Sequence, residues 1–588
     1  MKSFFKYVLA TIVGILLSAF LILIIVFGIV GSMLSSVGSD EQPVIADNSV
    51  LHISLAYPIT ERTNKSDFNT LDFSGLFDNR IGLNDILIRI EAAKTDDKIK
   101  GIYLDLNTVG ANFATLEEIR NALIDFKTSK KFILAYSEYY SQASFYLAST
   151  ADKIYLNPEG LLDFRGLASQ SVFFKGTLEK LGIEAQVIKV GTYKSAVEPF
   201  ILDKMSPANR EQVTSFLGSI YANFIDGISK SRNIPADSLL SIADKLKVQD
   251  AEDAVTYGMV DGTKYKDEIL AELRTLLKID KEDKIKSVSI EKYNVKDPAA
   301  SSNSRDRIAV VYAVGDIVSG EGSAEQIGSE KISRAIRIAR EDEKVKAVVL
   351  RVNSPGGSAL ASDVIWREVA LTKKSKPMIV SMGDLAASGG YYIAAAADSI
   401  FAQPNTITGS IGVFGIIPNL ENFFNDKLGV TFDVVKTSEF ADLGSLNRPL
   451  TAQEEAIIQQ SVNKIYYSFT QKVAEGRKKD RSYIDSIGQG RVWTGSQAVE
   501  LGLVDRLGGL EDAIKSAAKK AKLQEYKIVN YPAIQDPIKS LLSNSGDKIS
   551  LWFTKRELGM AYPAYKQAKE TIEQSGIQAR IPYTISIK

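Results

Sequence analysis

Cysteine is absent from the 588 residues, and histidine occurs once, at His52. The first absence removes thiol nucleophiles, disulfides, zinc–thiolate sites and iron–sulfur clusters. The second leaves a Ser-His-Asp triad, or a two-His metal centre, nothing to be built on but His52. Net charge is missing as well: 71 Lys and Arg balance 71 Asp and Glu, so no basic surface calls for a nucleic-acid partner. The 25 Phe and 24 Tyr are scattered, and they read as core and interface rather than a platform for stacking bases. What is present is ordinary. A chain that is 45% hydrophobic and 24% charged is a folded globular protein, and its chemistry must run almost without imidazole.

Charge is also absent locally, from Tyr7 to Ser39, where Val8 to Val30 is nearly all Leu, Ile, Val, Ala and Phe. About 20 apolar residues cross a bilayer as a helix. Lys2 and Lys6 precede the run and Asp40, Glu41 and Asp47 follow it, so the N-terminus stays cytoplasmic and the rest is exported. A cleavable signal peptide, the alternative, has an apolar core of about 7–15 residues and an Ala-x-Ala-like site. Gly31-Ser32-Met33-Leu34 matches such a site poorly, so residues 7–32 read as a retained signal anchor, after a cytoplasmic 1–6 and before a linker, 33–48.

At about 150 residues per domain the length suggests three or four domains. An internal repeat overrules that. A shift of 246 positions lays Ala93, Asp96, Lys98, Leu104, Asn107 and Gly110 on Ala339, Asp342, Lys344, Leu350, Asn353 and Gly356. The same shift carries Tyr146, Asp152, Ile154 and Pro158 onto Tyr392, Asp398, Ile400 and Pro404. The chain is therefore a tandem duplication, 49–298 and 306–545, joined by the small polar stretch 299–305, with a tail, 546–588, that has no counterpart. Within each copy apolar runs (Ile99 to Asn107, Phe132 to Tyr136; Val345 to Asn353, Met378 to Met382) read as strands covered on both faces. Between them Leu116, Ile119, Leu123 and Phe126 recur at helical spacing. The rhythm is βαβ, an α/β fold with a mostly parallel sheet.

Active sites of such sheets lie beyond the carboxyl ends of the strands. Two glycine-rich turns occur there in the second copy: Asn353-Ser354-Pro355-Gly356-Gly357, and Gly383-Asp384-Leu385-Ala386-Ala387-Ser388-Gly389-Gly390 before an Ala-rich helix, Tyr391 to Ala397. Ser388 stands at a strand-to-helix turn, a geometry that presents a nucleophile. The helix N-terminus, with Gly357 and Gly389, offers backbone N–H groups that approach a substrate carbonyl closely. Taken alone, these glycines serve tight turns equally well. The first copy carries Gly110-Ala111 and Gln142-Ala143-Ser144 at the same places, so turns in this fold do not require them.

A serine needs a base, and a lysine kept neutral by an apolar pocket can be one. Aligning the copies through Lys180-Leu181-Gly182 and Lys427-Leu428-Gly429 sets Lys194 opposite Ala441. Copy one has the lysine without the serine and copy two the serine without the lysine, which points to one composite site. His52, in the alternating Val50 to Leu55, reads as an outward strand residue. Asp152 and Asp398, shared by both copies, read as structural, ending a helix and fixing the turn into the next strand.

Together the anchor, the tandem copies, Asn353 to Gly357, Ala387 to Gly390, and Tyr193-Lys194-Ser195-Ala196-Val197-Glu198-Pro199-Phe200 resemble peptidase family S49 in its long duplicated form. The resemblance implies a tandem Clp-protease/crotonase-like fold, and a Ser/Lys dyad that degrades cleaved signal peptides and other extended hydrophobic peptides. By that resemblance Ser388 is the nucleophile, Lys194 the general base, Gly357 and Gly389 the oxyanion-hole donors, and Ser410 the residue that orients the lysine. It further implies a homotetramer on the bacterial inner membrane, single-pass, with its catalytic part on the periplasmic side. No cofactor or metal is indicated. Two alternatives differ in kind: a crotonase-type acyl-CoA enzyme, which would want an acidic acid/base pair at the turns, and a non-catalytic membrane scaffold.

Overall fold

The continuous apolar runs become the central strands of parallel sheets. In Val345–Ser354 every residue is buried except Lys346 and the half-buried Asn353, as a strand covered on both faces requires. The computed structural model describes residues 45–63, 81–295, 297–533 and 576–580, with the helical residues 6–7, 11–22, 24–25 and 28. Much of the expected anchor, the linker up to residue 44, and most of the tail lie outside the described residues. The described stretch 11–22 is helical, with Leu16, Leu17 and Phe20 exposed. Among the described residues no helix is long and apolar enough to cross a membrane.

Each copy forms its own sheet in the same strand order. In copy one the order is Gly262–Thr263, Lys153–Leu162, Phe132–Tyr140, Ile99–Asp105, Ser49–Ile53, Ser287–Ser289, all parallel. In copy two it is Arg506–Leu507, Ser399–Ala402, Met378–Ala387, Val345–Ser354, Arg307–Val314, Lys527–Tyr531, again parallel. The helix Phe113–Phe126 buries Leu116, Ile119, Leu123 and Phe126, the four residues whose spacing predicts it. The linker region holds one helical turn, Pro298–Ser301, started by the Asp297 side chain accepting from the Ala299 N–H.

Two strands run further than their apolar runs. Phe132–Tyr140 and Met378–Ala387 continue past Tyr136 and Met382, and the extension of the second pairs Leu385 to Ala387 with Ile407–Gly409. Asp384 interrupts the apolar pattern there. Its carboxylate is nonetheless buried at no loss of hydrogen bonding, because the Thr115 N–H and Oγ1 of copy one donate to it at 2.9 and 2.7 Å.

The shared aspartates are structural, with one difference from expectation. Asp152 accepts from the Ile133 N–H at 2.8 Å and Asp398 from the Met378 N–H at 2.9 Å. Each carboxylate thus pins the turn into the next strand to the start of the preceding one, four residues beyond the helix end rather than at it. His52 is half-buried in the copy-one sheet, its Nε2 3.2 Å from Asp105 Oδ2 and its ring stacked on Tyr103.

A third sheet joins the copies: Gln326–Gly328, Asp316–Val318, Gly356–Ser358, Gly576–Arg580, Val413–Asn419, Glu184–Val190. Copy one's Glu184–Val190 lies antiparallel to copy two's Val413–Asn419, in register from Val190 opposite Val413 to Glu184 opposite Asn419. A buried charge cluster adds to the union. Arg351, wholly inaccessible, donates to Glu61 at 2.8 Å and Glu118 at 2.5 Å, both from copy one, while Asn353 Nδ2 donates to Glu61 at 2.7 Å. Arg351→Met leaves two buried carboxylates without their cation and is expected to cost about 3–5 kcal/mol. A thermal melt of the variant checks this; an unchanged midpoint would show that the cluster does not hold the copies together.

Candidate active site

Ser388 sits between the strand Met378–Ala387 and the helix Gly389–Ala394, at φ 56° and ψ −112°. A non-glycine residue held there stores about 1–3 kcal/mol, so the surroundings must impose it. They do so at both ends: the Ser388 N–H donates to Gly409 O, and Ser388 O accepts from the Tyr392 N–H, each at 2.8 Å. The helix begins two residues earlier than Tyr391 and stops at Ala394, because glycines let it approach the first turn closely. A Cβ on Gly390 would stand 2.8 Å from Ser354 O, and one on Gly389 2.6 Å from Ser362 Oγ.

In copy one the corresponding turn carries no strain. Its helix, Gln142–Ala148, starts from Ser141 in extended conformation, whose side chain accepts from the Ser144 N–H. That is an ordinary capped start. The unusual backbone appears only in the copy that holds the serine.

Lys194 arrives from copy one. The strand Glu184–Val190 ends at Gly191, whose φ of 107° turns the chain so close to copy two that a Cβ would meet the Gln489 backbone at 2.5 Å. The Tyr193 N–H then donates to Gln489 O at 2.9 Å. Gln212 spans the junction, its Nε2 donating to Tyr193 O at 3.0 Å and its Oε1 accepting from the Val492 N–H at 3.2 Å. Gly490 makes room: a Cβ there would lie 2.6 Å from the Lys194 N and Cβ.

The result is a tight cluster. Lys194 Nζ lies 2.8 Å from Ser388 Oγ, 3.1 Å from Ser410 Oγ and 3.3 Å from Ser410 O, and all three side chains are buried. Among the described residues Lys194 forms no ion pair. Burial alone pushes its pKa well below the usual lysine range. The arrangement suits a neutral amine. A neutral amine would keep two N–H bonds for Ser410 and turn its lone pair to Ser388, whose hydroxyl here donates to Gly412 O at 3.4 Å, while Ser410 Oγ itself donates to Gly490 O at 3.2 Å.

The structure thus brings Ser388, Lys194 and Ser410 together and sets Gly389 and Gly357 on the two flanking turns. Gly357, at φ 155°, stands opposite Ile317 on one side and Ala579 on the other. Sequence reasoning missed Gln212 and Gly490. Gly488-Gln489-Gly490 is a visible turn signal, but the side chain it makes room for belongs to the other copy.

Comparison with known proteins identifies the family of the chain. The model of peptidase family S49 matches residues 125–280 and again 370–524, and that of Clp protease matches 300–408. The chain is 40% identical to Protease 4 of Salmonella typhi, over 79% of this chain and 76% of that protein. It is 39% identical to Protease 4 of Haemophilus influenzae, over 74% and 73% respectively. The chain belongs to peptidase family S49. It is a serine peptidase, and the family matches its two copies separately, as a duplication requires. A chloroplastic serine protease SPPA of Arabidopsis thaliana is 34% identical over 86% of this S49 chain and 74% of its own length.

If the depressed lysine is the group that must be neutral, kcat/KM rises with pH through an ionisation well below pH ~10, where free lysine titrates. Ser410→Ala, which removes one acceptor of the lysine's N–H bonds, is expected to lower kcat while moving that limb. A pH–rate profile of both proteins is the check, and an ascending limb near pH ~10 in the parent would show that burial does not depress the essential base.

Proposed function

We propose that this S49 peptidase hydrolyses extended apolar peptides, with Ser388 as nucleophile and Lys194 as general base. The observation that carries the reading is the 2.8 Å approach of a buried lysine, without a carboxylate partner among the described residues, to a strained serine. Neutral Lys194 takes the Ser388 proton as Oγ adds to the peptide carbonyl. The ammonium then protonates the leaving amine, and a water activated the same way releases the acyl-enzyme. The N–H groups of Gly357 and Gly389 stabilise the oxyanion, and Ser410 orients the lysine.

The relatives and the sequence support the substrate class. A protein of Enterococcus faecium, 39% identical over 39% of this chain and 66% of its own length, is named a putative signal peptide peptidase SppA. Signal peptides left in the bilayer after release from preproteins are extended, apolar and concentrated at a membrane. An enzyme tethered by residues 7–32 to the bacterial inner membrane, catalytic part outward, works where they accumulate. We assign it that place, and a homotetrameric state on the membrane surface. The crotonase-type alternative asks for a free carboxylate at the turns, and Asp384, the one on the Ser388 turn, is committed to Thr115. The scaffold alternative asks for a decayed site, and the Ser388 strain and the Lys194 approach are both intact.

Full-length protein in detergent should hydrolyse a fluorogenic apolar peptide. Ser388→Ala and Lys194→Ala are each expected to lower kcat/KM by roughly 10⁴-fold or more, about as much as the double variant, since the two act as a unit. Activity surviving Lys194→Ala would mean another base. Turnover of an acyl-CoA in place of the peptide would restore the crotonase alternative.

A further inference from the structure

One three-residue segment of the second copy, Gln489 to Arg491, holds both the lysine loop and the residue the lysine bonds to. Gln489 O accepts from the Tyr193 N–H at 2.9 Å, one residue before Lys194. Gly490 O accepts from Ser410 Oγ at 3.2 Å, and Arg491 O from the Ser410 N–H at 2.7 Å. The Gly490 N–H in turn donates to Ile411 O at 2.7 Å. A shift of this segment therefore moves Lys194 and Ser410 relative to each other.

Among the described contacts, one side chain of the three crosses to copy one. Gly490 has none, and Gln489 turns back into its own copy, its Nε2 2.7 Å from Asp485 Oδ1 and 3.3 Å from the Tyr466 hydroxyl. Arg491 reaches across. Its guanidinium lies between the ring of Tyr193 in copy one and that of Trp493 in copy two, Cζ standing 4.6 and 4.5 Å from the two centroids. Its Nη1 is 2.8 Å from Glu211 Oε1, and the Tyr193 hydroxyl donates to the other oxygen of that carboxylate at 3.1 Å. The second ring is anchored as well. Trp493 Nε1 donates to Ile487 O at 3.0 Å, and its strand, Val492–Thr494, pairs with Ile407–Gly409, which leads directly into Ser410. Glu211 is mostly exposed, so its ion pair alone contributes little. The stronger hold is a planar cation between two aromatic faces, which a lysine cannot reproduce.

We infer that Arg491 is a positioning residue for the general base, clamping residues 489–491 against Tyr193 so that Lys194 Nζ stays within bonding distance of Ser388 and Ser410. This rests on the Ser388/Lys194 assignment above. Two consequences follow from loosening the clamp. Slack of about 1 Å between base and nucleophile costs on the order of 10²-fold in rate. Water that reaches Nζ also hydrates the ammonium, so the pKa that burial depresses moves back up.

pH–rate profiles and thermal melts of the full-length protein in detergent, with a fluorogenic apolar peptide as substrate, test this. Arg491→Lys is expected to lower kcat about 100-fold with KM within about twofold, and to move the ascending limb to higher pH. In the Ser410→Ala background the same substitution costs much less, because the alignment it maintains is already lost. Arg491→Ala loses as much as Arg491→Lys, and millimolar guanidinium, which can re-enter between the two rings, restores part of kcat and returns the limb toward its parental position. A collapsed junction would not be rescued in this way. Parental kcat and limb in Arg491→Lys overturn the assignment. So does a loss equal in both backgrounds with the limb unmoved and no guanidinium rescue, which is the mark of a merely structural residue. Lys194→Ala is measured beside them: activity surviving there overturns the dyad and this role with it, whereas its loss, with Arg491→Lys at parental activity, overturns this role alone.

Discussion

A lysine amine buried beyond the reach of any carboxylate among the described residues is the constraint on which the rest of this molecule turns. An ammonium in such a place loses its hydration and gains no counter-ion, so the charged form is penalised and the proton is given up. A neutral amine still needs partners for two N–H bonds and a lone pair, and Ser410 and Ser388 supply them. The surrounding features follow from this need. Glycines at 191 and 490 let the lysine loop press into the second copy, and the strained Ser388 backbone aims a hydroxyl at the amine. Another buried cation, Arg351, is instead compensated, by Glu61 and Glu118. A carboxylate placed near Nζ would stabilise the ammonium and deny the lysine the role of base proposed for it.

The duplication and most strands were legible because both depend on local pattern. Offsets between matching residues survive divergence, and buried parallel strands demand continuous apolar runs. The pairing of Ser388 with Lys194 was legible for a different reason: each copy lacks what the other has, and one His leaves few bases to consider. What escaped the sequence depends on partners distant along the chain. The strand through Asp384 continues only because Thr115 of the other copy satisfies its carboxylate. Gln212 looks like any polar helix residue until its two contacts, Tyr193 in one copy and Val492 in the other, are known. Gly576–Arg580 has a single large apolar residue, Ile577, and its pairing comes from two unfilled strand edges rather than from its own composition.

Comparing the two copies separates what the fold needs from what the chemistry needs. Strand order and the aspartate clamps at Asp152 and Asp398 are common to both, so they belong to the fold. The positive φ at Ser388 is not. Where copy one has Ser141 capping an ordinary helix, copy two forgoes the cap and holds a backbone that stores strain. Strain of that kind persists in one copy of a duplicated fold only if it serves something the other copy does not do.

If Ser388 and Lys194 are the dyad proposed above, its division between the copies makes catalysis depend on how the copies dock. Lys194 is delivered by a strand that has left its own sheet to pair with Val413–Asn419, so a displacement of one copy against the other moves Nζ directly relative to Oγ. An error of about 1 Å in such a geometry costs on the order of 10²-fold in rate. The interface must therefore be stiff, and it is built from interactions that tolerate little slippage: an antiparallel ladder in register along its whole length, a buried arginine shared by two carboxylates, and a glutamine bonded to both backbones.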